Sequence, residues 1–315
     1  MKHKHTKQEL TMLQSLPLEV KIKKTELRIR EFYDYFGGDV CISFSGGKDS
    51  TVLLDIARSI YPNITAVFAD TGLEYPEIKK FATSQKNVTI VRPEISFKEV
   101  LEQYGYPVVS KHISRRVADY RKNPDAKWVK KAFEDRYTFN SYNMRKWKFL
   151  KDAPFLISDK CCDIIKKNPL KQFEKGTGLK PIIATMASEG VLRESAWLKI
   201  GCNSFSNGKS NPMSFWLEQD ILRYLKISGI PYSTIYGDIV NDIGNQMMLD
   251  LDSDNQILST TGVKRTGCMF CMFGVQLEKE PNRFQKMRVT HPQLYEYCIN
   301  KLGCGIVLDY IGVKH

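Results

Sequence analysis

Ser43-Phe44-Ser45-Gly46-Gly47-Lys48-Asp49-Ser50 decides how this chain folds, because it joins two runs of different period. Before it, Asp39-Val40-Cys41-Ile42-Ser43-Phe44 is short, alternating and β-branched, which predicts a strand. After it, Thr51-Val52-Leu53-Leu54-Asp55-Ile56-Ala57-Arg58-Ser59-Ile60 has apolar residues at helical spacing. Strand, glycine turn and helix together make a phosphate cradle. Two adjacent glycines bring successive N–H groups close to an anion, and the helix N-terminus adds the positive end of its dipole. Ser45 and Ser50 add hydroxyls, and Lys48 adds a point charge. Asp49 suits such a site if it caps the helix or holds a magnesium ion that bridges phosphate oxygens. The spacing is not that of the P-loop of GTPases, which needs four residues between its first glycine and Gly-Lys-Ser/Thr.

Ser-Gly-Gly-Lys-Asp-Ser after a strand resembles the PP-loop of the ATP pyrophosphatase superfamily, whose members bind ATP and release pyrophosphate. The resemblance extends past a second expected strand, Ile64-Thr65-Ala66-Val67-Phe68-Ala69, to the turn Asp70-Thr71-Gly72 with Tyr75-Pro76-Glu77 behind it. That turn is similar to the second motif of the phosphoadenylyl sulfate (PAPS) reductase-like branch. It implies a nucleotide site built from Ser43, Ser45, Gly46, Gly47, Lys48, Asp49, Ser50, Asp70, Thr71 and Gly72, with ATP and Mg2+ bound. A third strand at 88–93 and a helix at 96–104 continue a βαβαβ rhythm. This predicts an α/β fold with an open, mostly parallel, doubly wound sheet of Rossmann-like type. The strand at 181–186 ends near Arg193, where the resemblance places an anion-binding arginine. Pro212-Met213-Ser214-Phe215-Trp216-Leu217-Glu218-Gln219-Asp220-Ile221 looks like the family's structural Pro-Leu-x-x-Trp-x-x-x-Asp-Val segment.

Bulk properties narrow the setting. The chain has 315 residues, 42% of them hydrophobic, and a net charge of +12. No window has the apolar length of a membrane span, and no apolar stretch follows the Lys/His-rich start, so a cytoplasmic protein without a membrane partner is expected. Residues 1–15 are expected to fray or to start a loose helix, and 18–36 to form an amphipathic helix stopped by Gly37-Gly38. Three regions follow from these readings: tail and helix at 1–38, a nucleotide-binding α/β domain at 39–235, and a cysteine-containing region at 236–315.

Residues 111–151 hold thirteen Lys/Arg against four Asp/Glu, interleaved with aromatics such as Tyr120, Trp128, Phe133, Tyr137, Tyr142 and Trp147. Cations neutralise phosphates and aromatic faces stack on bases, so tRNA or DNA is one expected partner. A helical insertion with its own aromatic core is the other reading of the same residues.

Eight cysteines in a reducing compartment favour thiols or metal ligands over disulfides. Cys161-Cys162, Cys202 and the Cys268-x-x-Cys271 pair supply five sulfurs, and all-sulfur sets suit zinc or an iron–sulfur cluster. A Cys-Cys pair upstream of Cys-x-x-Cys resembles the assimilatory adenylyl sulfate reductases, which implies a [4Fe-4S] cluster, with Zn2+ as the alternative. Cys202 is the competing fourth ligand, leaving Cys161 free or persulfide-bearing. Near the end, Cys304-Gly305-Ile306 resembles the tail that carries the reductase nucleophile, but Gly303 stands where that tail has Glu, and Val307 where it has His. The acidic run at Asp250, Asp252 and Asp254 reads as a solvated loop.

An intact Lys48 favours ATP, since the reductases do not split it. The main expectation is therefore an enzyme that adenylates a nucleic-acid acceptor, releases pyrophosphate and delivers sulfur, with Lys48, Asp49 and Arg193 in the chemistry. A sulfur-donor protein and self-association are compatible with that scheme. A sulfonucleotide reductase is the alternative, and a non-catalytic nucleotide-sensing subunit of a nucleic-acid-modifying or defence complex is the third.

Overall fold

The computed structural model describes residues 4–134, 144–242 and 257–315. The chain divides into two compact units, and neither is continuous in sequence. One comprises Met1–Asp70, Tyr75–Val91 and Leu170–Thr266; the other comprises Thr71–Glu74, Arg92–Pro169 and Gly267–His315.

Helices α1 (Lys7–Gln14) and α2 (Leu18–Tyr35) open the first unit. The first is a defined helix rather than a frayed start. Thr6 and Glu9 form a capping box that satisfies two otherwise orphaned backbone donors. Strand β1 (Val40–Phe44), helix α3 (Lys48–Ile60), strand β2 (Thr65–Ala69), helix α4 (Pro76–Ser84) and strand β3 (Val88–Val91) then alternate as the periodicity predicts. In the second unit, α5 (Phe97–Tyr104), the two-residue strand β4 (Val108–Val109), α6 (Lys111–Lys122) and α7 (Lys127–Glu134) follow. Helix α8 (Asn168–Thr177) leads back to the first unit, which adds β5 (Lys180–Ile183), α9 (Val191–Ile200), β6 (Asn203–Ser204), β7 (Lys209–Ser210), α10 (Glu218–Ser228), β8 (Ile239–Asn241) and β9 (Leu258–Thr260). The second unit ends with β10 (Met272–Phe273), α11 (Arg283–Thr290), α12 (Pro292–Glu296) and α13 (Cys304–Tyr310).

The main sheet has the order β3-β2-β1-β5-β7-β6, parallel except for the β6–β7 pair. This is the expected α/β architecture. Cys41 stands opposite Thr65 on one side and Pro181 on the other, so β1 is central, and its residues are almost fully buried. Parallel strands covered on both faces read as continuous apolar runs, as β1 and β2 do. Ile42, Phe44, Val52, Leu53, Ile56, Phe68, Ile182 and Trp216 form the core around them. The Pro212 segment is structural and leads into a helix. Met213, Phe215 and Trp216 are core residues of a turn, and α10 starts only at Glu218, where Asp220 caps it by accepting from the Leu217 N–H at 2.7 Å.

In the second unit, β4 pairs in parallel with β10. Among the described aromatics of the basic segment, Tyr120 and Phe133 pack on each other within it, whereas Trp128 is 51% exposed. Tyr120 meets Phe133 edge-on, Lys151 stacks on Tyr120 at 4.3 Å, and Arg116 on Trp128 at 5.2 Å. Arg121 is spent on the carbonyls of Leu150, Lys151, Ala153 and Phe155. Tyr137, Tyr142 and the acidic run at 250–254 lie outside the described residues.

Candidate functional site

In a parallel sheet, ligands sit beyond the carboxyl ends of the strands, and the first unit's strands β1, β2 and β5 end at that edge. The β1 turn is shaped by Gly46. Its φ is +70°, and a Cβ there would meet Ile78 Cγ2 at 2.9 Å and the Ile78 carbonyl at 3.0 Å, so only glycine fits. Gly47 precedes α3, and the hydroxyls fold inward around it. Ser50 Oγ donates to the Gly47 carbonyl at 2.9 Å and accepts from the Ser45 N–H at 3.2 Å, while the two serine oxygens lie 3.0 Å apart. Ser43 lies within β1.

Lys48 is 2% exposed and is surrounded by groups far along the chain. Its N–H donates to the Tyr236 phenol oxygen at 3.1 Å, and its ammonium donates to the Lys264 carbonyl at 3.0 Å. Glu218 Oε1 is 3.0 Å from the ammonium and Asp49 Oδ1 is 3.7 Å away. Burial alone pushes the Lys48 ammonium down, but Asp49, Glu218 and Tyr236 together hold it above the ordinary lysine value. Tyr236 OH shares a 2.7 Å hydrogen bond with Thr266 Oγ1, and burial pushes the phenol up, keeping it neutral at pH 7. Burial also raises Asp49, helped by Glu218 and opposed by Lys48, Arg265 and Arg193. Asp49 Oδ1 is buried without a hydrogen-bond partner among the described residues. An orphaned carboxylate oxygen beside a second carboxylate fits a hard divalent cation such as Mg2+, with Asp49 and Glu218 as its ligands.

Arg193 lies in the first turn of α9 and pairs with Glu189. Burial and the nearby Arg265 push its guanidinium down, and Asp49 opposes them. Its field therefore reaches the PP-loop. Asp70, at the end of β2, is buried with Lys79 at 3.1 Å. Thr71 and Gly72 fall in the second unit, where Thr71 Oγ1 and its N–H bind the Glu74 carboxylate at 2.7 and 3.0 Å. Tyr232 does not fold back to the loop. Its hydroxyl donates to the Gly237 carbonyl, and Tyr236, four residues on, reaches Lys48 instead.

The cysteines separate into two groups. In the second unit, Cys161 is pushed up by burial and then by the charges of Cys162, Cys268 and Cys271. Burial pushes Cys268 up to about 12, Cys271 and Cys162 adding to it, while Lys166 opposes. Cys271 is raised by burial and by Cys162, with Lys111 and Arg283 opposing. Among the described residues no three His, Cys, Asp or Glu side chains surround a common metal position. The four thiols are nonetheless neighbours whose anionic forms repel one another, and a cation or cluster would relieve that repulsion. Their identity and proximity fit an all-sulfur centre.

Cys202 is not among them. It belongs to the first unit, 3.3 Å from Ser214 Oγ, and its surroundings are Trp197, Arg28 and Glu31. Cys41 is buried in β1, and its thiol is pushed up to about 12 by burial. Cys298 and Cys304 are buried in the second unit. Glu218, Tyr236, Lys264, Arg265 and Thr266 are the site residues that sequence reading missed. The one local signal was the Lys-Arg-Thr triplet directly before the Gly267-Cys268 motif.

Residues 39–123 match the family model of the phosphoadenosine phosphosulfate reductase domain. The chain is 24% identical over 216 residues to the adenosine 5'-phosphosulfate reductase of Pseudomonas aeruginosa (strain LESB58), covering 66% of this chain and 65% of that protein. It is 23% identical over 240 residues to the enzyme of that name from Oceanobacillus iheyensis, covering 75% and 83%. The chain thus spans just under two thirds of the first of these relatives. Among solved structures, a PAPS reductase from Candida auris in a phosphate complex aligns with a TM-score of 0.39 and 15% identity, covering 74% of this chain and 92% of that one. Among the described residues no helix is long and apolar enough to cross a membrane.

Proposed function

From a chain whose residues 39–123 place it in the PAPS reductase-like branch of the PP-loop superfamily, we propose an enzyme that binds an adenine sulfonucleotide at the PP-loop and reduces its sulfate to sulfite, releasing the nucleotide monophosphate. The observation that carries this reading is the gathering of Cys161, Cys162, Cys268 and Cys271 in one unit of a chain whose other unit holds a complete PP-loop. Family enzymes named as adenosine 5'-phosphosulfate reductases support it.

In this reading Cys161, Cys162, Cys268 and Cys271 would hold a [4Fe-4S] cluster, which would supply a polarisable iron–sulfur centre. Ser45, Gly46, Gly47, Lys48 and Ser50 bind the phosphate, and Lys48 stabilises the charge that stays on the departing phosphate oxygen. Two electrons come from thiols. Cys304 matches the reductase nucleophile in position, but it is fully buried, so its attack requires the start of α13 to open.

A second reading is favoured by the orphaned Asp49 oxygen beside Glu218 and the intact Lys48, a cation-ready site that suits Mg-ATP. In that reading the protein adenylates an acceptor and transfers sulfur to it, and the basic segment 111–151 meets nucleic acid.

The two readings separate on binding by anaerobically prepared protein. Selective binding of adenylyl sulfate or its 3'-phosphorylated form, lost in Lys48→Ala, with sulfite formed when a dithiol is added, is the expected result. Selective binding of Mg-ATP with no sulfite would overturn reduction and leave adenylation. Serine substitution of Cys161, Cys162, Cys268 or Cys271 should abolish retained iron and sulfide, whereas Cys202→Ser should not.

A further inference from the structure

The short stretch 264–266 is fixed on the PP-loop at both of its ends. The Lys264 carbonyl accepts from the Lys48 ammonium at 3.0 Å. Two residues on, Thr266 Oγ1 bonds to Tyr236 OH at 2.7 Å, and Tyr236 OH in turn accepts from the Lys48 N–H at 3.1 Å. Packing is close: a Cβ on Gly47 would lie 3.2 Å from both Thr266 Oγ1 and Tyr236 OH. With its neighbours pinned in this way, Arg265 has little freedom of backbone position.

Arg265 is exposed and, among the described residues, makes no hydrogen bond or ion pair. Its charge is nevertheless felt at Asp49, next to the loop lysine, and at Arg193, in the first turn of α9. Two guanidinium groups held within reach of each other repel, and an anion between them removes that cost. Lys48 is already engaged by Glu218 and by a carbonyl, so a ligand with two linked anionic groups needs further cations for the second. A planar guanidinium meets the oxygens of a tetrahedral sulfate or phosphate through two parallel bonds.

We infer that Arg265, held by 264–266 and acting with Arg193, binds the second anionic group of the nucleotide, the sulfate or phosphate joined by anhydride linkage to the α-phosphate. This assigns a specificity residue to the site and rests on its being a nucleotide site; it does not depend on whether that second group is sulfate or phosphate.

The test is equilibrium binding of AMP, adenylyl sulfate and ATP to the full chain and to Arg265→Gln, Arg265→Lys and Arg193→Gln. AMP carries the α-phosphate alone. Arg265→Gln should weaken the anhydride ligand that the wild type prefers by about tenfold or more, since a charge-assisted contact is lost, and change AMP by less than about twofold. Arg265→Lys should recover only part of the loss, because an ammonium keeps the charge and not the fork. Equal weakening of AMP and the anhydride ligand, or no weakening of either, overturns the inference. A wild type that prefers ATP to adenylyl sulfate overturns the sulfonucleotide reading but supports this inference if Arg265→Gln still discriminates ATP from AMP.

Discussion

The backbone N–H of Lys48 donates to the phenol oxygen of Tyr236 across 188 residues of sequence. That N–H is the first of helix α3, a group whose role in a phosphate-binding turn is to meet an anion. A neutral phenol thus occupies an anion position, and it is tied to Thr266 on its other side.

Tyr236→Phe should therefore destabilise the free protein by about 1–2 kcal/mol, through a buried N–H and a threonine hydroxyl left without a partner. With saturating nucleotide the loss should shrink, because a ligand oxygen takes over the Lys48 N–H. Denaturant midpoints with and without ligand test this. A loss that grows with ligand would mean that the phenol contacts the nucleotide itself.

Gly46→Ala should cost roughly 2–4 kcal/mol, the sum of a left-handed backbone conformation and a clash with the Ile78 backbone. Because α4 must shift to relieve it, nucleotide affinity should fall along with stability. Thermal unfolding and a binding titration measure the two effects.

Lys21 and Asp220 form an ion pair at 2.6 Å, with side chains 2% and 7% exposed. Asp220 also caps α10. Asp220→Ala should destabilise by about 3–5 kcal/mol, since it strands a buried ammonium and uncaps a helix. Adding Lys21→Met should return a large part of that loss. If the double variant is as unstable as the single one, the cap dominates over the charge.

Lys48 has its folded pKa held above the ordinary 10.5, so its protonated form contributes stability below that value. The contribution should disappear as pH rises through the folded pKa. Glu218 and Asp49, with side chains 39% and 28% exposed, then lose the cation they share. Stability of the wild type minus that of Lys48→Met, followed over roughly one unit either side of the ordinary 10.5, should decline with alkalinity. A flat difference would show that the carboxylates do not hold the proton on Lys48.

Much of the fold was legible locally. The change of period around Ser45-Gly46-Gly47 placed β1, the turn and α3, and the apolar runs of β2 and β3 placed two further parallel strands, because strand and helix periods are properties of a few neighbouring residues. The Cys-Cys and Cys-x-x-Cys spacings were likewise legible, and all four of these cysteines fall in the second unit. What the sequence by itself determined, then, was the glycine turn between β1 and α3, the α/β order and the cysteine-rich motifs. The tertiary structure alone decided that Tyr236, not Tyr232, reaches Lys48, that Glu218 and the Lys264 carbonyl hold its ammonium, and that Cys202 parts from the other four cysteines. These partners are joined by strand order and by the paths of returning segments. Residue spacing carries no trace of a contact closed over 188 or 216 residues.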